Sequence, residues 1–457
     1  MVPSAWFSES IGGVLVSGKR IYSELLSSEM KSRFWNYIFW LIIAAAFIGP
    51  GTVTTAASAG AGHGLQLLWA LLFSTLACMV VQEAAARVAI VSGRSLGQAI
   101  LARYSNVTFV WFIGISIFLG CLAYEAGNML GAISGLALLN LAIPQWVFTS
   151  IIAVSSFLLL YFEKTRLVPQ LLGAMVAIMG IGLFYAALSV PADWSGLASG
   201  LFAPQLPEGS TLLVLGLIGT TIVPYNIFLG SGLAEGKELR SVRSGLVFSI
   251  ALGGLVSMAV LVVGTSISGD FSFERLYEQL VAQHGQIMGY VFAFGLFGAG
   301  FTSTITAALA GALTIKSVHK AGAGWTEKTG KFKALWATII VVGFAFGVSG
   351  VKPIPVIIAA QAANGLILPV LTFALCVLCN GKTMGSYTNS FWLNTAIFIT
   401  LFVTSIIGLI NVFKAFHTMF QESFSFSGIN QWIIIGLSAA VLLFTYFQVR
   451  KERKLNI

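Results

Sequence analysis

A chain of 457 residues that is 57% hydrophobic and only 9% charged, with a mean hydropathy of +0.91, belongs neither to the soluble globular nor to the disordered class. Its net charge of +9 would suit a nucleic-acid partner, but the apolar runs point to an all-α integral membrane protein whose basic residues sit in loops. Neither enzymatic activity nor a cofactor is expected.

Twelve apolar windows of membrane-spanning length fall near 34–61, 65–92, 107–138, 144–162, 167–190, 210–234, 242–268, 286–315, 333–351, 354–379, 390–413 and 431–449. With a cytoplasmic N-terminus, only Arg275, Lys352 and Lys414 of the 25 basic residues face outward. This positive-inside bias predicts a multi-pass plasma (inner) membrane protein with both termini cytoplasmic and its basic loops against anionic lipid. Residues 1–33, without an apolar core long enough for a signal peptide, read as a cytoplasmic N-terminal segment, and 450–457 as a basic cytoplasmic tail.

The first window contains FIGPGTVTTAASAG, residues 47 to 60. Pro50 lacks a backbone donor and Gly49 and Gly51 tolerate unusual φ, so this helix is expected to unwind at mid-membrane, where only protein can satisfy the freed groups. The sixth window carries LIGTTIVPYNIFLGSG, Leu217 to Gly232, with Pro224 at a matching place. The two are five spans apart, so the second runs the opposite way. A single proline kink is ordinary in a membrane helix. Two Pro/Gly interruptions in corresponding positions point instead to an inverted repeat, here 34–190 and 210–380 followed by two additional helices in 390–449, with substrate held between the breaks. Thr52, Thr54 and Thr55 on the first helix and Thr220, Thr221, Tyr225 and Asn226 on the sixth are available there, although threonines also bond back to their own helix.

Ionisable residues within spans are costly and few. Glu83 and Arg87 in QEAAAR are spaced i, i+4 and read as a structural ion pair. Glu125 in CLAYEAGNMLG has no basic residue in its own helix, and is either a proton carrier or a protonated carboxyl bonded in the core. The eighth window, GAGFTSTITAALAG, holds Thr302, Ser303, Thr304 and Thr306 among small residues, which suits tight helix packing or a hydroxyl-lined ion path. Gln361 and Asn364 share one face of the tenth span. Cys78, Cys121, Cys376 and Cys379 lie in apolar segments and are expected to pack, and His63, at the outer end of the first span, is expected at the surface.

Together the runs GPGTVTTAASAGAGHGLQLLWALLFSTLACMVVQEAAARVAIVSG, IGTTIVPYN, TSTITAALAG and NGKTMGSYTNSFWLN resemble the NRAMP transporters, proton-coupled divalent-metal carriers with a LeuT-type fold. The likeness extends from about Phe34 to Val412 and implies alternating access, with the substrate between the unwound parts of the first and sixth helices. It implies a substrate site at Gly49, Thr52, Thr55, Thr221, Val223, Tyr225, Asn226 and Gln361, and a proton pathway at Glu125 and Asn128. Where the family has Asp-Pro-Gly-Asn, this chain has Gly49-Pro50-Gly51-Thr52; where it has Met-Pro-His, this chain has Val223-Pro224-Tyr225. A second family histidine is Gly230 here, and the second acid of the third helix is Asn128, while Glu125 and the glutamine at Gln361 are kept.

The site thus lacks both an anion to offset the dehydration of a dication and a thioether to select transition metals. Metal-ion transport, with coupled protons, is the expectation from the resemblance. A neutral or zwitterionic polar solute, such as a sugar or amino-acid-like molecule, is the alternative from the pocket chemistry, and a transport-dead sensor is the third. The topology is tested at Asp193, between the fifth and sixth spans: a cysteine placed there is expected to react with an impermeant reagent added outside, and labelling only from inside overturns the span order.

Overall fold

The computed structural model describes residues 47–104, 106–162, 167–191, 193–319, 325–419, 426 and 428–454. The N-terminal segment 1–33 and the first half of the first span lie outside the described residues. Because lipid offers no hydrogen bonds, the apolar windows fold as helices that satisfy their own backbones. In chain order these are α1 (Pro50–His63), α2 (Leu68–Ser92), α3 (Leu96–Arg103), α4 (Val107–Ala137), α5 (Gln145–Tyr161), α6 (Leu167–Leu188) and α7 (Trp194–Phe202). Then follow α8 (Thr211–Thr221), α9 (Pro224–Ala234), α10 (Leu239–Gly264), α11 (Phe273–His284), α12 (Gln286–Val318), α13 (Gly330–Val348), α14 (Pro353–Leu378), α15 (Phe391–Met419) and α16 (Gly428–Lys454).

Each of the twelve windows contains one of these helices, the sixth being split into α8 and α9. Short helices α3, α7 and α11 connect spans. Asp193 caps α7, and the Gly196 N–H and Ser195 hydroxyl that its carboxylate accepts hold that group below the usual carboxylate range.

Helix contacts follow the inverted repeat in part. Exchanging the first span for the sixth, the second for the seventh, the third for the eighth and the fifth for the tenth carries several of the main contacts onto others that are present. The α4–α12 and α2–α10 pairs map onto themselves; α6–α12 maps onto α14–α4, and α1–α10 onto α8/α9–α2. The broken helices therefore lie inside the bundle, flanked by α2, α4, α10 and α14.

At the basic end of the bundle the predicted ion pair is one part of a larger network. Glu83 accepts from Arg87 Nε at 3.0 Å and, unforeseen from sequence, from Arg243 of α10 at 2.6 Å. Arg87 also donates to the Tyr387 carbonyl and to Asn389 Oδ1 in the connection after α14. Asn389, Asn380 and Asn394 bond to one another at 2.8–3.0 Å, and Arg453 donates to Asn380 Oδ1 at 2.8 Å. Glu452 pairs with Arg103 of α3. Helix α16 continues into the basic tail as far as Lys454, and its last turn is docked by Glu452 and Arg453 because these two charges find partners on the bundle. His63 is half-buried rather than at the surface, and all four cysteines are free and buried, as packing residues are expected to be.

Arg87 and Glu83 have side chains only 2% and 9% exposed, whereas that of Arg243 is 48% exposed and contributes less. Glu83→Gln is expected to destabilise the protein by about 3–5 kcal/mol, because it leaves the buried Arg87 charge uncompensated. Thermal unfolding in detergent measures this, and Glu83→Gln combined with Arg87→Met is expected to cost less than Glu83→Gln alone.

Candidate functional site

From Phe47 onward the first interruption is built like the sixth. Gly49 is the N-cap of α1, extended at φ −99° and ψ 174°, with Pro50 as the first helical residue. Val223 is the N-cap of α9, at φ −88° and ψ 117°, with Pro224 first. Proline suits the first position because its missing N–H has no intrahelical acceptor there, and it disfavours helix in the residue before it. Neither N-cap offers a side-chain hydrogen bond, and neither helix has an acidic residue in its first turn.

Thr52 links the two breaks. Its hydroxyl donates to the Phe47 carbonyl at 3.1 Å and lies 3.1 Å from the Thr220 hydroxyl at the end of α8, which is left to donate to it. Gln361 on α14 closes the third side. Tyr124 donates to Gln361 Oε1, with the Gly219 carbonyl a second acceptor 3.2 Å away, and its ring meets Tyr225 edge-on at 5.3 Å. Glycine is required where α14 presses against the breaks: a Cβ on Gly51 would overlap the Gln361 amide, and one on Gly219 would overlap the Gln361 carbonyl.

Between these groups lies a cavity of about 20 Å³ lined by Phe47, Gly49, Gly51, Thr52, Tyr124, Asn128, Thr220, Val223, Tyr225, Asn226, Ser303 and Gln361. Seven positions expected from sequence therefore meet at one place: Gly49, Thr52, Val223, Tyr225, Asn226, Gln361 and, from the expected proton pathway, Asn128. Two others do not. Thr55 turns its hydroxyl back to the Gly51 carbonyl at 2.8 Å, and Thr221 bonds Leu217 O at 2.9 Å, because each is one turn along a regular helix from a carbonyl it can reach. Thr220 takes the place expected of Thr221. Tyr124 was not singled out, although a tyrosine at mid-span signals a polar partner for its hydroxyl. Ser303 resolves one ambiguity of the eighth span by facing the cavity, whereas Thr302 and Thr306 bond back to their own helix.

Glu125, one residue past Tyr124, is fully buried and faces away from the cavity lining toward α12 and α13. Neither carboxyl oxygen has a hydrogen-bond partner; Thr304 and Asn128 are its polar neighbours, and Gly343 packs against its stem. A carboxyl without an ion pair can change its charge without breaking one. Among the described residues no cluster of three or more His, Cys, Asp or Glu side chains is placed to hold a metal. The cavity offers neutral oxygens, amide and hydroxyl donors and two helix N-termini.

Residues 40–414 match the Nramp family, described as natural resistance-associated macrophage protein-like. The divalent metal cation transporter MntH of Granulibacter bethesdensis is 26% identical over 388 residues, covering 79% of this chain and 85% of that protein. MntH of Chromohalobacter salexigens is 27% identical over 423 residues, covering 86% and 94%. In structure, the Eremococcus coleocola manganese transporter in complex with an aromatic bis-isothiourea substituted compound superposes with a TM-score of 0.68 at 20% identity, covering 92% of this chain and 96% of that one. A helical bundle that superposes on a manganese transporter over nine-tenths of the chain and a family match across most of the sequence agree: the chain belongs to the Nramp family of membrane transporters.

Proposed function

We propose that this chain is an alternating-access secondary transporter whose cargo is a cation of the divalent-metal class, held by neutral oxygens, with Glu125 carrying protons. It sits in the inner membrane with both termini cytoplasmic. The observation that supports an ion over a sugar or an amino-acid-like solute is the size of the polar cavity, about 20 Å³. A sugar needs more room than that, whereas a dication with oxygens at about 2.0–2.6 Å fits where a water fits. Thr52, Asn226 and Gln361 supply side-chain oxygens, and the Phe47 carbonyl, which accepts from Thr52, has a second lone pair to offer.

Such a site binds loosely. A carboxylate 4 Å from a cation is worth about 4 kcal/mol per unit charge at an effective dielectric of about 20, and each 1.4 kcal/mol is about tenfold in Kd. Native protein is therefore expected to bind Mn²⁺ at least about a hundredfold more weakly than Gly49→Asp/Val223→Met, which restores one hard and one soft ligand. Mn²⁺ titration of both at one ionic strength is the measurement. Equal affinities overturn the proposed site, and reconstituted native protein that takes up no Mn²⁺ at any concentration is a binding homologue rather than a carrier.

Glu125→Gln keeps the shape of the side chain and removes its titration. It is expected to abolish the dependence of Mn²⁺ uptake on a pH gradient while leaving Mn²⁺ affinity nearly unchanged. Uptake that still follows the gradient returns Glu125 to a structural role.

A further inference from the structure

Two larger cavities lie beside α7, at the end of the bundle away from the basic network. One, of about 1140 Å³, opens between α2, α6 and α10, and the other, of about 560 Å³, between α2, α8 and α15. Leu72, Leu76, Leu201 and Gln205 form a wall common to both. Leu76, Leu188 and Leu255 line the larger one and are exposed, so it opens toward lipid tails. Along it the face of α2 from Leu68 to Leu76 runs for about 12 Å, most of the depth of one leaflet when the hydrocarbon core is about 30 Å thick. Helix α7 is held against the start of α2: a Cβ on Gly200 would overlap the Leu65 carbonyl, and the Trp69 indole donates to the Gln205 carbonyl at 2.9 Å. Its end residues Trp194 and Phe202 are exposed, as aromatic residues at a lipid–water interface are.

Among the Asp, Glu, Lys and Arg residues described, only Asp193 lines either cavity. Its Oδ1 accepts from the Ser195 hydroxyl and the Gly196 N–H, and the carboxylate has further lone pairs to offer. The connection 189–210 holds Asp193 and Glu208 and neither Lys nor Arg. We propose that the two cavities seat the two acyl chains of one phospholipid whose headgroup ends in a primary ammonium, of the phosphatidylethanolamine kind, with that ammonium on Asp193. The chains supply fit more than free energy, because the surrounding lipid is as apolar as the cavity walls. Charge at the mouth therefore decides which lipid stays. A primary ammonium attracts the carboxylate and donates hydrogen bonds to it. A quaternary ammonium only attracts, and a glycerol headgroup leaves its phosphate charge facing Asp193. No residue of the polar cavity between the breaks lines either lipid cavity, so the lipid site is independent of the cargo.

The test is native mass spectrometry of the intact purified protein titrated with dioleoyl phosphatidylethanolamine, phosphatidylcholine and phosphatidylglycerol at one detergent concentration. The ethanolamine lipid is expected to bind about threefold or more tightly than the glycerol lipid, with the choline lipid between them. Asp193→Asn keeps a helix-capping side chain and loses the charge; it is expected to bind the ethanolamine and glycerol lipids equally. Glu208→Gln removes the same charge from the same connection outside both cavities, and is expected to keep the native preference. A lysophosphatidylethanolamine, with one chain, is expected to bind more weakly than its two-chain counterpart. Equal binding of ethanolamine and glycerol lipids by native protein, or a preference that survives Asp193→Asn, overturns the proposal. Equal loss in Asp193→Asn and Glu208→Gln overturns it in favour of a diffuse field, and equal binding of the one-chain and two-chain lipids overturns the pairing of the cavities.

Discussion

A helix interrupted in the middle of a bilayer exposes N–H and C=O groups that lipid cannot bond, and the core of this protein is organised around covering them. Thr52 ties the unwound Phe47 carbonyl to the end of α8, and Tyr124 reaches the Gly219 carbonyl while holding Gln361 in place. Cys78 contributes its weak donor to the Thr221 carbonyl at 3.3 Å. The glycines at 51 and 219 follow from the same need, since the covering side chains must come close to the backbone they cover. The cavity is what remains after these bonds are made.

The asymmetry of charge completes this picture. The mid-membrane site carries no ionised side chain among the residues that line it, whereas the basic end of the bundle gathers Glu83, Arg87, Arg243, Glu452, Arg453 and Arg103. A pocket neutral in its side chains puts little electrostatic penalty on the empty carrier. The charges lie where bond-rich asparagines offset the cost of their desolvation.

Much of this was legible in the sequence because its signals are local. The apolar windows, two prolines in matching positions and the i, i+4 spacing of Glu83 and Arg87 each depend on a few consecutive residues; among the described residues a helix falls in each window, and ten helices are long and apolar enough to cross a membrane. The choice between neighbouring threonines was not legible. Thr220 and Thr221 differ by 100° of helix rotation, and the exact end of α8 decides which one faces α1. Thr55 lies almost a full turn beyond Thr52 and already belongs to regular helix. Long-range partners were equally hidden: nothing around Arg243 in the sequence names Glu83, and the asparagines of NGKTMGSYTNSFWLN acquire meaning only once α2 and α16 are packed against them.

The network at the basic end also bears on how the chain is made. Arg87 finds its non-helical partners at Tyr387 and Asn389, 300 and 302 residues downstream, so during synthesis the second span enters the membrane long before those partners exist. Its i, i+4 neighbour Glu83 is present from the start, and the pair enters close to neutral, which lowers the cost of inserting a helix that carries a guanidinium. Arg243 arrives with the seventh span and the asparagine connection after the tenth. Arg453 closes the arrangement only once α16 has been made. The ion pair is thus a chaperone internal to the helix, holding a charge safe until the rest of the bundle has been built around it.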